Sequence, residues 1–495
     1  MHDELPFQLY SAQQVRDLDA QLIAGGLPGL ELMRRAAAAA WRSLRHGWPH
    51  AGALCVLAGG GNNAGDGYLV AALARKAGWQ ARVWHLADPT GLQGDAALAH
   101  AEALAAGVDI QPWRADAPLE GLVVDALLGT GLKGAAREPY AAAIERINAS
   151  ELPVVAIDLP SGLDADTGAA AGPLVRADLT ITFIGLKLGL FTGKGPDHVG
   201  SLVFEPLMEE PQNPAHATAQ RLAPGNLPRL TRRPLNAHKG QYGHLLVIGG
   251  DEGTGGAAIM TSEAALRCGA GMLSLATRPS NVTAVLARRP EVMVAGVHSS
   301  FAVLELAKKA DVLAVGPGLG QGAWGKALAS AAATLDAAQV WDADALNLLA
   351  AGVVQAPRGP WVMTPHPGEA ARLLEVSIKD IEADRPGSAR ELARRYGGVA
   401  LLKGFGTLIA HPDGRMALCG EGHPAMATGG LGDILTGIIA ALLGQGLAPF
   451  EAACLGAWLH GRAGAELGRQ GRGLAASDLP PVARQLLEEL QPCLN

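Results

Sequence analysis

One stretch limits what this chain can become more than any other: Ala427-Thr428-Gly429-Gly430-Leu431-Gly432-Asp433, running into Ile434-Leu435-Thr436-Gly437-Ile438-Ile439-Ala440-Ala441-Leu442-Leu443. The apolar run reads as a buried helix. A glycine loop feeding a helix N-terminus leaves backbone N–H groups without intrahelical partners, and the aligned peptide dipoles add partial positive charge there. Such an end suits phosphate or a developing oxyanion. Asp433 stands at its mouth, where a fixed carboxylate would repel phosphate. Either it caps the helix, or it takes a proton from a group that attacks phosphate. The choice depends on the rest of the chain.

At 495 residues there is room for two or three domains with ample core. The 65 glycines, the scarce aromatics and the 49% hydrophobic content suit closely packed α/β layers. A net charge of −7 with no Lys/Arg block argues against nucleic acid or an anionic membrane as partner. The five cysteines (Cys55, Cys268, Cys419, Cys454, Cys493) are scattered, without CxxC spacing, and read as buried hydrophobes in a reducing compartment. The acidic start lacks a secretory apolar core, and the longest apolar runs break well short of a membrane span. A soluble cytoplasmic enzyme is expected, with a homo-oligomer as its state of assembly.

Residues 9–46 read as two helices, the second over Glu31 to His46. A strand over 53–58, a glycine loop over 59–67 and a helix over 68–78 then form the opening βα unit of a nucleotide-binding sheet. Strands at 81–86, 122–126, 154–157 and 179–184 predict a parallel, doubly wound α/β sheet. The Pro-, Gln- and Asn-rich stretch 209–228 reads as an interdomain linker, separating a domain over 1–215 from one over 225–495. The second α/β pattern opens with a strand at 244–248, a glycine stretch at 249–256 and a helix through Cys268. Strands at 272–276, 312–315, 340–341 and 361–363 follow, then antiparallel additions at 399–402, 407–410 and 415–419. Helices over 433–443, 450–467 and 481–490 close the chain. The later spacings of the halves differ, which predicts two unrelated nucleotide-handling domains and no repeat.

In the first domain, Gly59–Gly67 alone is a weak signal. Asn62, Asn63 and Asp66, however, place polar groups where a turn needs only flexibility. Further loops follow the strand ends at Asp125 (Gly129-Thr130-Gly131-Leu132-Lys133-Gly134) and Ile157 (Asp158 to Asp164). Loops at the strand C-ends of an open parallel sheet converge on one crevice. Asn63, Asp125 and Ser161 would then gather oxygens suited to a hard cation, and the Gly129–Gly134 loop with Lys133 would suit a phosphate. Each acid alone also reads as a loop cap. GNNAGDG (61–67), GTGLKG (129–134) and IDLPSGLDADTG (157–168) resemble the NAD(P)H-hydrate epimerase domain, the YjeF N-terminal family, over about residues 10–207. That resemblance implies a Rossmann-like fold, epimerisation of NADHX and NADPHX at C6 of the hydrated nicotinamide ring, and bound K⁺ on Asn63, Asp125 and Ser161. It further implies substrate contacts from Asn62, Asn63, Ala64, Gly65, Asp66, Gly129, Thr130, Gly131, Leu132, Lys133, Gly134, Ala135, Tyr140 and Asp158, with Asp158 as the acid/base. Ala64 departs from the family's usual glycine and needs an ordinary negative φ.

In the second domain, polar residues 236–244 precede the first strand, and Gly316-Pro317-Gly318-Leu319-Gly320 follows a later one. Asp342 and Asp344 sit at a strand end, His366 stands between two prolines, and Lys403-Gly404-Phe405-Gly406-Thr407 joins two strands. Singly, His366 reads as a hydrogen-bonded loop histidine and the two acids as solvated strand ends. Together with the glycine–aspartate helix start they supply a base, backbone donors for a transferred group and a nucleotide loop. NAHKGQYGHLLVIGG (236–250), TPHPGEAARLL (364–374), KGFGT (403–407) and GGLGDILTG (429–437) resemble the ADP-dependent NAD(P)H-hydrate dehydratase family over about residues 225–492. The implied fold is ribokinase-like. Ala257, Gly318, His366 and Asp433 would contact the hydrated dinucleotide, and Lys403, Gly404, Phe405, Gly406, Thr407 and Gly432 would hold ADP with Mg²⁺. Asp251 stands where that family often has Ser.

The expected chemistry in the second domain is attack of the C6 hydroxyl on the β-phosphate of ADP with Asp433 as base, then loss of phosphate to give NADH or NADPH and AMP. A ribokinase-like kinase for a small alcohol would share the glycine–aspartate helix start but leaves the first domain unexplained. A non-catalytic nucleotide sensor would explain the glycine loops but not Asp433 beside an anion site.

Overall fold

The computed structural model describes residues 5–208 and 216–494, and the chain divides between Ala219 and Gln220 into two compact units. In the first, strands β1 (Gln8–Tyr10), β2 (Ala53–Ala58), β3 (Gln80–His85), β4 (Asp109–Pro112), β5 (Leu122–Ala126), β6 (Val154–Ile157), β7 (Leu179–Phe183), β8 (Leu186–Lys187) and β9 (Ser201–Glu205) succeed one another. Seven of them form one parallel sheet in the order β4-β3-β2-β5-β6-β7-β9, while β1 and β8, outside that sheet, pair with each other in parallel. The chain runs outward from β2 through β3 to β4, then returns beside β2 as β5 and runs to the other edge. The crevice beyond the C-ends of β2 and β5 is the topological switch point of this Rossmann-like sheet. Strands β5, β6 and β7 are buried throughout, which is why they are largely apolar, with Asp125, Thr180 and Thr182 as the buried polar exceptions.

The helix after β2 begins at Asn62 and runs to Lys76. The sequence predicted a loop as far as Gly67, because glycines weaken a helix. Their reason is close approach. A Cβ on Gly67 would lie 2.6 Å from the Ala126 methyl and 2.9 Å from Val56 Cγ1, and one on Gly65 2.6 Å from the Met33 sulfur. Ala64 is wholly buried in this helix, so its methyl is accommodated as core.

The second unit carries β10 (Ala219–Arg221), β11 (His244–Ile248), β12 (Met272–Thr277), β13 (Met293–Gly296), β14 (Val312–Val315), β15 (Ala338–Trp341), β16 (Trp361–Met363), β17 (Val399–Leu402), β18 (Thr407–Ala410) and β19 (Met416–Cys419). Their order is β13-β12-β11-β14-β15-β16-β17-β18-β19-β10. Pairing is parallel from β13 to β17, antiparallel through β18 and β19, then parallel between β19 and β10. Here too the order reverses beside the first long strand, between β11 and β14. Beside this sheet, helix Leu431–Gly444 packs on helix Gly255–Arg267 so closely that a Cβ on Gly437 would stand 2.2 Å from the Thr261 carbonyl oxygen. Ile434, Ile438 and Leu442 are fully buried in the core this creates, each contributing roughly 1.5–3 kcal/mol.

The predicted linker is corrected in part. Residues 209–215 lie outside the described residues, but Gln220 and Arg221 pair with Ala417 and Leu418, so this stretch supplies a strand. All five cysteines are free thiols, four of them buried. Among the described residues no helix is long and apolar enough to cross a membrane.

Candidate active sites

A cavity of about 650 Å³ opens at the switch point of the first unit. The glycine loop after β2 and the loop after β5 form one wall; Asp158, at the end of β6, faces in from another side. Asn62, Asn63, Asp66, Gly129, Thr130, Gly131, Leu132, Lys133, Tyr140 and Asp158 line it. Ala64, Gly65, Gly134 and Ala135, also expected there, do not. The amides of Ala64 and Gly65 are already bonded to the Gly61 carbonyl at 3.0 and 3.3 Å, inside the helix. Ala135 turns instead toward Gly172, whose Cβ would lie 3.2 Å from the alanine methyl.

Beneath the loops, Asp125 is fully buried. It accepts hydrogen bonds from Ser161 Oγ at 2.6 Å, Ser161 N at 2.8 Å and Leu127 N at 3.2 Å. Burial pushes its carboxyl up to about 6 despite those bonds, and no Lys or Arg among the described residues pairs with it. Both side-chain amide atoms of Asn63 are buried without a hydrogen-bond partner among the described residues. A buried carboxylate without an ion-pair partner and the unbonded Asn63 amide oxygen are the oxygen donors a hard cation can satisfy.

On the cavity wall, Asp158 Oδ1 accepts from the ammonium of Lys187 and from Thr182 Oγ1 at 3.2 Å. Asp66 has no such cation: burial, then the charges of Asp158 and Asp19, push its carboxyl well above the ordinary range. Sequence reasoning passed over Lys187, because a lysine within Gly185-Leu186-Lys187-Leu188-Gly189 carries no motif. It also passed over Asp19, another cavity residue raised by burial and by Asp95 and Asp158.

In the second unit the helix start is built on Gly430, whose φ of 90° is a left-handed conformation that glycine allows. Asp433 is the third residue of the helix, and its side chain does not cap it. No hydrogen bond from a described residue reaches its carboxylate. Burial first, then the negative charges of Asp342 and Asp344, raise it to about 7 against the opposing pull of Lys403. A carboxylate poised there can act as a base near neutral pH.

Lys403 is committed below the helix start. Its ammonium lies 2.8 Å from Asp342 Oδ1 and 3.8 Å from Glu369 Oε2. Thr436 Oγ1, one turn into the helix, donates to Asp342 Oδ2 at 3.1 Å. Burial alone would raise Asp342; the ammonium and the hydrogen bonds outweigh it and hold its carboxyl below the usual range. A Cβ on Gly432 would stand 3.3 Å from both Asp342 Oδ2 and Lys403 Nζ, so this glycine keeps the floor of the site open. In the adjoining loop Gly404 and Gly406 have φ of 138° and 68°, and Phe405 is half exposed.

His366 caps helix Pro367–Leu374: its Nδ1 accepts from the amides of Gly368 at 3.0 Å and Glu369 at 3.3 Å. That fixes the proton on Nε2 while the imidazole edge stays half exposed. Ala257 and Gly318 come together, the glycine's Cβ position lying 3.2 Å from the alanine methyl. Asp251 is held by Arg278 at 2.7 Å, and that guanidinium stacks 4.4 Å over Trp324. Glu369, Thr436 and His460, whose Nε2 donates to the Leu431 carbonyl at 3.0 Å, were not singled out from sequence. Their signal is the fold, which brings distant loops together.

A Rossmann-like unit with an acid-bearing cavity and a ribokinase-like unit with a glycine-rich helix start carrying Asp433 define a two-site nucleotide-handling enzyme. Residues 245–482 match the family described as NAD(P)H-hydrate dehydratase, and residues 29–189 match that of the YjeF-related protein N-terminus. A bifunctional NAD(P)H-hydrate repair enzyme of Coxiella burnetii is 42% identical over 485 residues, covering 97% of this chain and 99% of that one. Its counterpart in Escherichia coli is 46% identical over 460 residues, covering 92% and 88%. A ribokinase-like superfamily protein of Enterococcus faecalis is similar in structure, with a TM-score of 0.52 and 29% identity, over 56% of this chain and 97% of that one. The chain belongs to the family of bifunctional NAD(P)H-hydrate repair enzymes.

Proposed function

We propose that the first unit interconverts the R and S hydrates of NADH and NADPH, and that the second dehydrates the S form at the expense of ADP, giving AMP and phosphate. The observation that carries the second half is Asp433: an unpartnered carboxylate, raised to about 7, in the first turn of a helix whose leading amides are free. Asp433 removes the proton of the C6 hydroxyl as that oxygen attacks the β-phosphate. The amides of the Gly429–Gly432 turn stabilise the charge on the transferring group. Phosphate then leaves with the C6 oxygen, pushed by the ring nitrogen's lone pair, and loss of a proton from C5 forms the C5=C6 double bond that restores the dihydronicotinamide ring. The Lys403–Thr407 loop suits the adenine nucleotide, with Phe405 as a stacking face. Lys403 itself supports the floor through Asp342 and Glu369 more than it reaches outward.

Mg²⁺ would arrive on the nucleotide's phosphates and neutralise their charge; among the described residues no cluster of three or more His, Cys, Asp or Glu is placed to cage it. In the first unit, Asn63, Asp125 and Ser161 would hold K⁺, which balances the buried Asp125 charge. Asp158 serves there as base and Asp66, holding its proton, as acid. The free cysteines suit the cytoplasm.

The test uses separately prepared R and S hydrates, followed at 340 nm with and without ADP. The S form is expected to regain absorbance only with ADP, and the R form only as it is converted to S. Asp158→Ala should block use of the R form and spare the S form. Recovery of absorbance without any nucleotide would overturn the phosphoryl-transfer reading.

A further inference from the structure

Two neighbouring strand ends on the cavity wall are strained in the same way. Asp158, the residue after β6, has φ 70°, and Ile184, the residue after β7, has φ 66°. At each, the following amide bonds back across the bend: Leu159 N to Ile157 O at 2.9 Å, and Gly185 N to Phe183 O at 2.6 Å. These are γ-turns of the strained, positive-φ kind, and a β-branched residue such as Ile184 is rare in one. Strain of this sort persists only where the surroundings over-determine it.

One group touches both bends. Lys187 is 1% exposed, and its ammonium donates to Asp158 Oδ1, to Thr182 Oγ1 at 3.0 Å and to the Phe183 carbonyl at 3.0 Å. All three protons are used. Thr182 Oγ1 in turn donates to the same Asp158 oxygen. Asp158 Oδ2 is left as the oxygen without a partner among the described residues, on a side chain that lines the cavity. Burying an ammonium this completely is costly unless each proton is bonded, and an apolar residue could have filled the space. The other charges facing the cavity are Arg16 and Asp19 on one helix, Asp66 on a second, Asp95 on a third and Lys133 in the loop after β5. Of the cations, Lys187 is the one bonded to Asp158.

We infer that Lys187 is a positioning residue for epimerisation: its ammonium ties the two strained strand ends together and fixes Asp158 with one oxygen turned to the substrate. This rests on the epimerase reading of the first unit. The test uses the full chain with Lys187→Met, and Thr182→Val as a milder variant that removes one tie. Equilibration of R and S hydrates is followed by chromatography without ADP, and ADP-driven dehydration of the S form is followed in the same preparations. Lys187→Met is expected to lower kcat for epimerisation by about 100-fold and Thr182→Val by about tenfold. KM should stay within about threefold, and dehydration should be unchanged. Epimerisation by Lys187→Met within threefold of the unaltered protein would overturn the inference. So would a loss of kcat that comes only with a matching rise in KM and early melting of the first unit, since that is a packing role. Failure of the unaltered protein to equilibrate the hydrates would instead overturn the epimerase reading itself.

Discussion

The two units solve the same electrostatic problem with opposite assignments of a lysine. In the first, Lys187 is bonded directly to Asp158, the proposed reacting carboxylate, and a second acid, Asp66, is left without a cation. In the second, Lys403 is bonded to Asp342 and approaches Glu369, and the proposed reacting carboxylate, Asp433, is the one left without. The contrast fits the chemistry. An epimerase needs an acid and a base at once, and here one carboxyl is bonded to an ammonium while the other is not. The dehydratase needs one base that lets go of its proton after phosphoryl transfer, so a carboxylate near 7 serves better than one pinned by an ammonium.

The sharpest way to break that contrast is Asp433→Asn, expected to lower ADP-driven dehydration about 1000-fold while R/S equilibration stays unchanged. Loss of both activities together would mean the units are not independent in this respect. Next in size is the pH profile. Because burial and neighbouring acids raise Asp433, its ionised form is lost as pH falls through about 7. The kcat/KM for dehydration should therefore drop tenfold per pH unit below that point and be flat above it. Asp342→Asn removes a charge that raises Asp433 and should move this limb to lower pH. A smaller effect is expected at the proposed K⁺ site: replacing choline chloride with potassium chloride should raise the melting temperature of the first unit by a few degrees. Asn63→Ala should abolish that increment without touching dehydration. Smallest is Ala64→Gly, which fits the family's usual residue but should destabilise helix Asn62–Lys76 by about 1 kcal/mol.

Much of the fold was legible because its central strands are buried on both faces. The runs 53–58, 154–157 and 312–315 are apolar throughout, 122–126 is broken only by Asp125, and each is a strand with those bounds. Strands β4 and β13 escaped notice since edge position leaves Asp109, Gln111 and Met293 exposed and the sequence shows no alternation. Helical glycines misled the reading at Asn62–Gly67, where tertiary closeness outweighs propensity. For the sites, Asp158, Asp433 and His366 stood out by motif. Of the residues that set their electrostatics, Lys187 and Asp19 lie in ordinary-looking stretches, while Glu369 sits inside a motif that does not show its role; their contacts form only when strand ends converge.

One strand bears on how this polypeptide can be divided. Residues 219–221 lie in a stretch whose composition suggests a tether, yet two of them extend the larger sheet alongside Met416–Cys419. A gene cut at residue 225 to liberate the dehydratase alone would remove β10 and uncover the backbone donors and acceptors of Met416–Cys419 that pair with it, inviting self-association. A cut placed upstream of Ala219 keeps the pairing of Gln220 and Arg221 with Ala417 and Leu418 intact.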